Sequence, residues 1–343
     1  MNDAYEKIKE SLRKFPRTWL VTGAAGFIGS HLVENLLALG QTVTGLDNFA
    51  TGSQKNIDDV LSKTEPENAA RFQMITGDIR DLETCRKACE GKEMVLHQAA
   101  LGSVPRSLQD PLSTYSVNAD GFFNMILAAR DGGVQSFVYA SSSSIYGDEP
   151  NLPKREDRIG NPLSPYALTK LHDEQMARVF ARCYGFRSIG LRYFNVFGPR
   201  QDPNGPYAAA IPRWFEALSK GKQPLIYGDG ETSRDFCYVA NVVQANLLAA
   251  TAPSEDAWNR AYNVACGSRT TLNELVALIR EEVSKENPGA ETIEPKYEDF
   301  RKGDIRHSLA DISQGQNLLG YQPQFFVRDG LKHAAEWYLK NGQ

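Results

Sequence analysis

Tyr166 and Lys170, four positions apart in the segment YALTK, are the residues whose types and spacing most directly indicate chemistry. On a helix that begins after Ser164-Pro165, this separation places the phenol and the ammonium group on one face. A free phenol has a pKa of about 10 and is a poor base at neutral pH, and lowering that pKa by roughly three units requires about 4 kcal/mol. A cation at ~4 Å supplies about 4 kcal/mol at an effective dielectric constant near 20. The pair could therefore serve as a general base, although such a pair taken alone is usually a solvated surface contact.

Four consecutive serines, Ser141 to Ser144, close the fifth predicted strand and could place a hydroxyl group beside that base. Ligands of doubly wound sheets bind at the carboxyl ends of the strands, which is where these serines would lie. The alternative is a polar strand end that only caps a turn.

A glycine-rich loop follows the first predicted strand, TWLVTG, and opens a helix. Gly23, Gly26 and Gly29 have the spacing GxxGxxG, a variant of the dinucleotide-binding fingerprint, and Phe27 and Ile28 lie between the last two. The first glycine permits a tight turn, the second lets the backbone approach a pyrophosphate, and the third lets helix and strand pack closely. The sequence therefore predicts a dinucleotide site at this loop.

Asp47 closes the second predicted strand about 20 residues further on, where a carboxylate would accept hydrogen bonds from adenosine-ribose hydroxyls. Its charge would repel a 2′-phosphate, which favours NAD over NADP. The alternative is that Asp47 only caps a turn with Asn48. Asp78 and Ile79 end the third predicted strand and could pair with the edge of the adenine, or could simply form an acidic turn.

The composition excludes several classes of protein. The 343 residues, 41% hydrophobic and 23% charged, are typical of a globular protein with one large domain or two smaller ones. Lys and Arg number 38 against 42 Asp and Glu, so no nucleic-acid partner is expected. No apolar run approaches the roughly 18 residues that span a bilayer, and the charged amino terminus is unlike a signal peptide, which predicts a cytoplasmic protein without membrane contact. The five cysteines and five histidines lack the spacing of a metal site, and no metal is expected.

Short apolar segments alternate with helical ones up to about residue 198. Their near-continuous hydrophobicity is typical of parallel strands covered on both faces, so we predict an α/β fold with a doubly wound parallel (Rossmann) sheet. The strands are expected at 18–23, 42–47, 71–77, 94–100, 136–142 and 188–194.

Three regions are expected along the chain. Residues 1–16 form a charged, solvated helical extension, and 17–198 a dinucleotide-binding domain to which part of the carboxyl-terminal chain returns. Residues 199–343 form a smaller, less regular α/β substrate lobe, with helices near 239–251, 271–286 and 327–341.

These motifs, with LDNFATG, GDIRD, LRYFNVFGPRQ, GDGETSRDF and RKGDIRHSLADIS, resemble the extended short-chain dehydrogenase/reductase family, specifically its NAD-dependent nucleotide-sugar 4-epimerases. The resemblance covers nearly the whole chain, and the segments ALGSVPRS and QDPNGPYAA are similar to bacterial UDP-N-acetylglucosamine 4-epimerases. It implies bound NAD and reversible inversion at C4 of a UDP-hexose through a transient 4-keto sugar.

The resemblance also implies roles for individual residues. Ser142 would hydrogen-bond the 4-oxygen of the sugar, Tyr166 would take its proton, and Lys170 would tune Tyr166 and hold the nicotinamide ribose. Further cofactor contacts are implied for Gln98, Asn118 and Tyr193. Substrate contacts are implied for Ser103, Ser143, Asn195, Tyr227, Arg234, Arg301, Asp304 and Ser308, with Tyr227 stacked on uracil and the two arginines clamping the diphosphate.

Two departures from the family pattern narrow the reaction. Ser143 and Ser144 stand where related dehydratases carry an Asp-Glu pair, and hydroxyls are too weakly acidic or basic for proton transfer at C5 or C6. Ser308 stands where epimerases restricted to non-acetylated sugars tend to have Tyr, and a smaller side chain leaves room for an N-acetyl group. UDP-GlcNAc and UDP-GalNAc are therefore favoured, with UDP-Glc and UDP-Gal as further substrates.

The alternative functions are a 4-epimerase of a UDP-uronic acid, a nucleotide-sugar oxidoreductase and a non-catalytic NAD sensor.

The family usually forms homodimers by packing two helices from each subunit, here those expected near 112–131 and 165–184. Phe122, Met125, Ile126 and Met176 could form that seam or belong to the intramolecular core.

Overall fold

The computed structural model describes residues 3–202, 209–300 and 305–341. Its strands are β1 (Thr18–Thr22), β2 (Thr42–Asp47), β3 (Phe72–Thr76), β4 (Met94–His97), β5 (Ser136–Ser142), β6 (Ser188–Tyr193), β7 (Val196–Phe197), β8 (Leu225–Tyr227), β9 (Ser233–Arg234), β10 (Cys237–Tyr238), β11 (Arg260–Val264), β12 (Thr270–Thr271) and β13 (Lys296–Glu298). Its helices are α1 (Asp3–Lys14), α2 (Phe27–Ala38), α3 (Gln54–Lys63), α4 (Pro66–Ala69), α5 (Leu82–Cys89), α6 (Val104–Gln109), α7 (Pro111–Tyr115), α8 (Gly121–Asp131), α9 (Pro165–Tyr184), α10 (Ala210–Ser219), α11 (Val239–Ala250), α12 (Leu272–Ser284), α13 (Ser313–Leu319) and α14 (Val327–Asn341). Shorter turns of helix are π-helical at Ser116–Asp120 and 3-10 at Ser143–Tyr146, Glu255–Ala257 and Pro288–Thr292.

Seven parallel strands form the central sheet, in the order β3-β2-β1-β4-β5-β6-β11. The chain winds outward in one direction from β1 to β3 and in the other from β4 to β6, so the two halves meet between β1 and β4. Ligands of such sheets bind in the crevice at that point. The sheet confirms the predicted doubly wound α/β fold and all of the predicted strands, and adds β11, which the sequence did not predict.

Both faces of the sheet are covered, which explains the continuous hydrophobicity of its strands. Along β1, Trp19 and Val21 belong to the core shared with α2 and α11, whereas Leu20 belongs to the core shared with α5 and α8. Successive side chains therefore point into two different cores, and neither face can be polar. A third core lies among α10, α12 and α14.

The second half of the chain contributes three two-stranded pairings outside the main sheet. Strand β7 pairs with β10 and β8 with β13, both in parallel, and β9 pairs with β12 in antiparallel fashion. The helices expected in this half are confirmed as α11, α12 and α14.

The amino-terminal helix α1 packs on the body of the protein through α11. Tyr5 and Leu12, about two turns apart on one face, are buried in the same core as α2 and α11. The expectation of a solvated extension is therefore wrong, because only one side of α1 is exposed, where Glu6, Lys7, Glu10, Arg13 and Lys14 lie.

Four apolar residues that the sequence left between core and dimer seam belong to the core. Phe122, Met125 and Ile126 are fully buried with α5 and β5, and Met176 packs against the same cluster.

Two kinds of feature are absent from the described ranges. No helix there is long and apolar enough to cross a membrane. No group of three or more His, Cys, Asp or Glu side chains there lies close enough together to hold a metal ion.

Candidate active site

The glycine loop between β1 and α2 brings backbone up to one wall of a cavity of about 560 Å³. Gly23 has φ +67°, and a Cβ there would lie 2.8 Å from the backbone N of Ala99. A Cβ on Gly29 would lie 1.9 Å from the carbonyl O of Gly23, so the third glycine is required for helix and strand to pack. Gly26, the N-cap of α2, provides no side-chain cap, and the first turn of α2 has no acidic residue. The uncapped N–H groups of this helix end fit a pyrophosphate.

Asp47, at the end of β2, lines the same cavity and is held by the loop. Its Oδ2 accepts a hydrogen bond from Ala25 N (2.9 Å) and its Oδ1 one from Phe49 N (2.8 Å). Burial raises the pKa of this carboxyl group, and these backbone donors oppose the increase. Each oxygen keeps a lone pair for a further donor, so the group fits the hydroxyls of a ribose.

The far end of the cavity is formed by residues after β2 and β3. Asn48, Asp78, Ile79 and Arg80 line it. The Asp78 carboxylate accepts hydrogen bonds from Asn48 Nδ2 (2.9 Å) and from Arg80 Nε (3.0 Å) and Nη2 (2.7 Å). The bonds from Arg80 lower the pKa of Asp78 to about 2. The structure thus places the predicted adenine-side residues together, with Asp78 already engaged by its neighbours.

Gln98 and Tyr193 form part of the cavity wall and are joined to a residue that the sequence did not predict. Tyr193 Oη donates to Gln98 Oε1 (2.9 Å), while Asn246 Nδ2 donates to Tyr193 Oη (2.9 Å) and Gln98 Nε2 to Asn246 Oδ1 (3.1 Å). Each member of this triangle bonds the other two, which fixes the side chains at the ends of β4 and β6. Asn246 lies in α11, far along the chain and outside any recognisable motif, so no local pattern could have revealed it.

Asn118 positions the site from behind the cavity and is not among its lining residues. Its Oδ1 accepts from Leu101 N (2.8 Å), and its Nδ2 donates to Leu101 O (3.2 Å) and to Thr169 Oγ1 (3.1 Å). Asn118 therefore ties the loop after β4, whose residues line the cavity, to the helix that carries Tyr166.

Ser142, Tyr166 and Lys170 line the same cavity as the glycine loop. Helix α9 begins at Pro165 because Ser164 caps it, its side chain accepting from Ala167 N (3.1 Å). The cap places Tyr166 in the first turn of α9 and Lys170 one turn later. Lys170 Nζ donates to Ala140 O and to Asp173 Oδ2, each at 3.1 Å.

The hydroxyl group of Ser142 accepts two hydrogen bonds from Ser144, one from its backbone N (3.2 Å) and one from its Oγ (2.9 Å). These two bonds use both lone pairs of the Ser142 oxygen. Ser142 can therefore still donate its own O–H toward the cavity that it lines.

A buried ion pair fixes the strand end and the helix relative to each other. Glu174 accepts from Arg192 Nε (2.9 Å) and Nη2 (2.8 Å) and from Ser141 Oγ (2.6 Å), and both charged side chains are almost completely buried. Arg192 Nη1 also donates to Tyr146 Oη (3.0 Å). This network locks β5, β6 and α9 together directly behind Ser142 and Lys170.

A second cavity, of about 380 Å³, adjoins the first, and Asn195 and Val196 line both. Tyr227 and Arg234 line its walls. Arg234 Nη1 donates to Ser233 O (3.1 Å) and Arg306 O (3.2 Å), and Asn195 Nδ2 donates to Asp235 O (3.0 Å). The structure thus places three of the predicted substrate residues around one space.

The remaining predicted substrate residues lie elsewhere. Ser103 caps α6 and lines a neighbouring cleft that also includes Gly26 and Phe27. Ser143 and Ser308 are not among the described residues that line the two cavities, although Ser308 N donates to Ser233 O (3.0 Å), beside Arg234. Arg301 and Asp304 lie outside the described residues.

The chain is similar to known proteins along most of its length. It is 36% identical over 326 residues to the UDP-glucose 4-epimerase of Mycolicibacterium smegmatis, with 94% of this chain and 99% of that protein covered. Among solved structures, the UDP-N-acetylglucosamine 4-epimerase of Methanobrevibacter ruminantium, in complex with UDP-N-acetylmuramic acid, is 37% identical, with a TM-score of 0.85 and 95% and 99% of the two chains covered. The UDP-glucuronic acid 4-epimerase of Bacillus cereus, in complex with UDP-glucuronic acid and NAD, is 28% identical with a TM-score of 0.83 and 94% and 99% coverage.

Residues 19–265, which contain the glycine loop, Ser142, Tyr166 and Lys170, match the model of the NAD dependent epimerase/dehydratase family. The uncapped amino end of α2, the glycine cradle and the buried Asp47 carboxylate fit the dinucleotide that this family uses. The chain therefore belongs to the NAD dependent epimerase/dehydratase family, and NAD is its cofactor.

Proposed function

We propose that the protein interconverts the C4 epimers of a UDP-hexose, with UDP-GlcNAc and UDP-GalNAc as its main substrate pair. The observation that supports this most strongly is the convergence of Ser142, Tyr166 and Lys170 on the cavity that contains the glycine loop. That cavity opens at Asn195 into the space lined by Arg234, which suits a nucleotide diphosphate.

In this mechanism the chain's own residues move one proton and hold the two ends of the substrate. Tyr166 takes the proton of the 4-hydroxyl group, to whose oxygen the O–H of Ser142 can donate, and the ammonium group of Lys170 stabilises the resulting phenolate. NAD, when bound, would supply the group that accepts a hydride from C4 and returns it. Arg234 and Asn195 retain the UDP while the sugar turns, so that the opposite face of C4 meets the same site.

Dehydration is disfavoured, although a dTDP-glucose 4,6-dehydratase of Streptomyces venezuelae has the same fold with a TM-score of 0.81 at 29% identity. Elimination of water across C5 and C6 requires an acid and a base beside these carbons. Here Ser143 and Ser144 follow Ser142, and the Ser144 hydroxyl group is bound to Ser142. Neither hydroxyl group can exchange protons with carbon at neutral pH.

The preference for acetylated sugars rests on Ser308, whose backbone is bonded to Ser233 beside Arg234. The short side chain of Ser308 does not line the cavity beside Arg234, so it takes none of the space that a phenol at the same position could occupy. A UDP-uronic acid is the second candidate, because the Bacillus cereus structure with UDP-glucuronic acid covers 94% of the chain.

The experiment is incubation of the purified protein with UDP-GlcNAc, UDP-Glc and UDP-GlcNAcA in separate reactions, followed by anomeric NMR. We expect the fastest epimerisation with UDP-GlcNAc and a decrease in turnover of about 10²–10⁴-fold in Tyr166→Phe, since the base is lost. Tyr184→Phe, which removes a phenol from the exposed end of the same helix, is the matched control and should keep the parent rate. Parent-like turnover in Y166F, or turnover of the uronic acid alone, would contradict the proposal.

A further inference from the structure

Lys170 is held by a carboxylate that the proposed mechanism does not use. Its Nζ lies 3.1 Å from Asp173 Oδ2 and 3.1 Å from Ala140 O, and the side chains of Lys170 and Asp173 are 3% and 0% exposed. An ammonium group has three N–H donors, and two of them are directed to these acceptors. The third is left for the cavity that Lys170 lines.

The other oxygen of Asp173 is left without a hydrogen bond. Asp173 Oδ1 and His172 Nδ1 are both buried atoms with no hydrogen-bond partner in the described part of the protein, and they lie 3.8 Å apart. The imidazole of His172 is 34% exposed and contacts the ring of Tyr115 at a centroid distance of 6.4 Å. A fully buried carboxylate with one unused oxygen is costly for stability, and structures keep such groups where they orient something else.

We propose that Asp173 is a positioning residue that fixes the ammonium group of Lys170 and, through its negative charge, sets the pH range in which Tyr166 is active as a base. The inference rests on the proposed function of Tyr166 and Lys170. Its physical basis is that Asp173 opposes the cation: with the carboxylate ionised, Lys170 favours the phenolate less than an unpaired ammonium group would.

Apart from His172, whose interaction with Asp173 raises its pKa, the other charged groups near this pair are compensated, neutral or screened by water. Glu174 is bound through two nitrogens of Arg192, so the two charges largely cancel. Burial lowers the pKa of His97, which faces Lys170 from β4, to about 3 and keeps it neutral. Asp120 is exposed, and water screens its charge. Burial raises the pKa of the Tyr139 phenol on β5, so that it stays neutral. Arg178 on α9 is exposed, and water screens its charge.

Its partner Lys170 favours the ionised form of Asp173. Burial raises the pKa of this carboxyl group, and the charge of Lys170 acts against that increase. Removal of the Asp173 charge would therefore leave Lys170 as an uncompensated cation. Asp173 follows Tyr166 by seven positions, or about 10 Å of helix, and one charge at that distance shifts a titration by about one pH unit at an effective dielectric constant near 20.

The test is Asp173→Asn, which keeps the shape and an acceptor oxygen while removing the charge. We expect the acid limb of the kcat profile to move to lower pH by about one unit. Asp120→Asn removes an exposed carboxylate from the turn packed on α9 and is the matched control. It should move the acid limb of the kcat profile by less than about 0.2 pH units. Asp173→Glu restores the charge and should return the limb toward the parent position. Folding is checked by circular dichroism and NAD content.

A second readout covers the case in which another step limits turnover. The absorbance at 295 nm of each protein, minus that of its Y166F counterpart, follows ionisation of this phenol directly, and D173S replaces D173N if the latter does not fold. The inference is overturned if the uncharged variant, D173N or D173S, has the same pH midpoints as the parent in both the kcat profile and the absorbance at 295 nm. If Y166F retains parent turnover, the proposed function fails instead; if Y166F is inactive and D173N is unshifted, only the role of Asp173 fails.

Discussion

At the scale of single residues, the site contains two histidines that burial keeps uncharged. His97 is fully enclosed beneath the cavity, with Nδ1 2.7 Å from Thr22 Oγ1, and His31 is a buried residue of α2 with Nε2 2.9 Å from Pro199 O. Burial lowers the pKa of each imidazole from 6.5 to about 3. Neutral imidazoles add no positive charge behind the pyrophosphate loop or Lys170, so the cations that act on the ligands are those on the cavity wall.

These two histidines make the fold sensitive to acid. The unfolded chain takes up a proton at each imidazole near pH 6.5, whereas the folded chain does not until about pH 3, so the unfolded state binds more protons between these values. The free energy of unfolding should therefore fall, by about 1.4 kcal/mol per histidine for each pH unit below about 6.

Chemical denaturation of His97→Asn at pH 7, 6 and 5 measures this directly. The variant should lose stability with falling pH less steeply than the parent, by about 1.4 kcal/mol per unit. His333→Asn, at an exposed position, is the control and should leave the slope unchanged. Equal slopes in H97N and the parent would contradict the assignment of His97 as a neutral core residue.

At the scale of elements, the helices that position Tyr166 also present an apolar surface to solvent. Leu112 on α7 is 79% exposed, and Leu168 and Val179 on α9 are 55% and 49% exposed. Leu168 and Val179 lie about three turns apart and so share one face of α9. An exposed apolar strip of this kind on packed neighbouring helices is typical of a subunit interface. We propose that a second copy of this chain covers it.

Light scattering tests this assembly. The parent should have twice the chain mass of 38.1 kDa, and the double variant L112K/V179K should have that mass itself, because two buried ammonium groups per subunit cannot be solvated in the interface. F326K, at a similarly exposed aromatic residue outside these helices, should leave the mass of the parent unchanged. A monomeric parent at micromolar concentration, or a dimeric double variant, would show that the strip has another role.

The same helices show where sequence patterns stop being informative. The helix expected at 165–184 is confirmed with those bounds, since Ser164 and Pro165 start it and Gly185, in the left-handed conformation, ends it. The helix expected at 112–131 is in fact α7 and α8 joined by the π-helical turn Ser116–Asp120. That turn places Asn118 against Leu101, a tertiary contact that hydrophobic periodicity does not encode.

At the scale of the whole molecule, the site is assembled from both halves of the chain. Strand β11 completes the sheet beside β6, and α11 delivers Asn246 to Tyr193 and Gln98. Motifs close in sequence, such as the glycine loop and the YALTK segment, could be predicted because their geometry is local. Asn246 and Glu174 could not be predicted, because each acts through partners that only the folded chain brings near. The division of the chain at residue 198 stays a prediction.

In the proposed reaction, C4 of a UDP-hexose is oxidised and reduced again while the substrate stays in one cleft. Incubation with UDP-GlcNAc in D₂O, followed by proton NMR and by absorbance at 340 nm, tests it most directly. We predict that UDP-GalNAc appears with its C4 proton retained and with no steady rise in absorbance. Deuterium at C4, or a rise in absorbance in proportion to the sugar consumed, would contradict it.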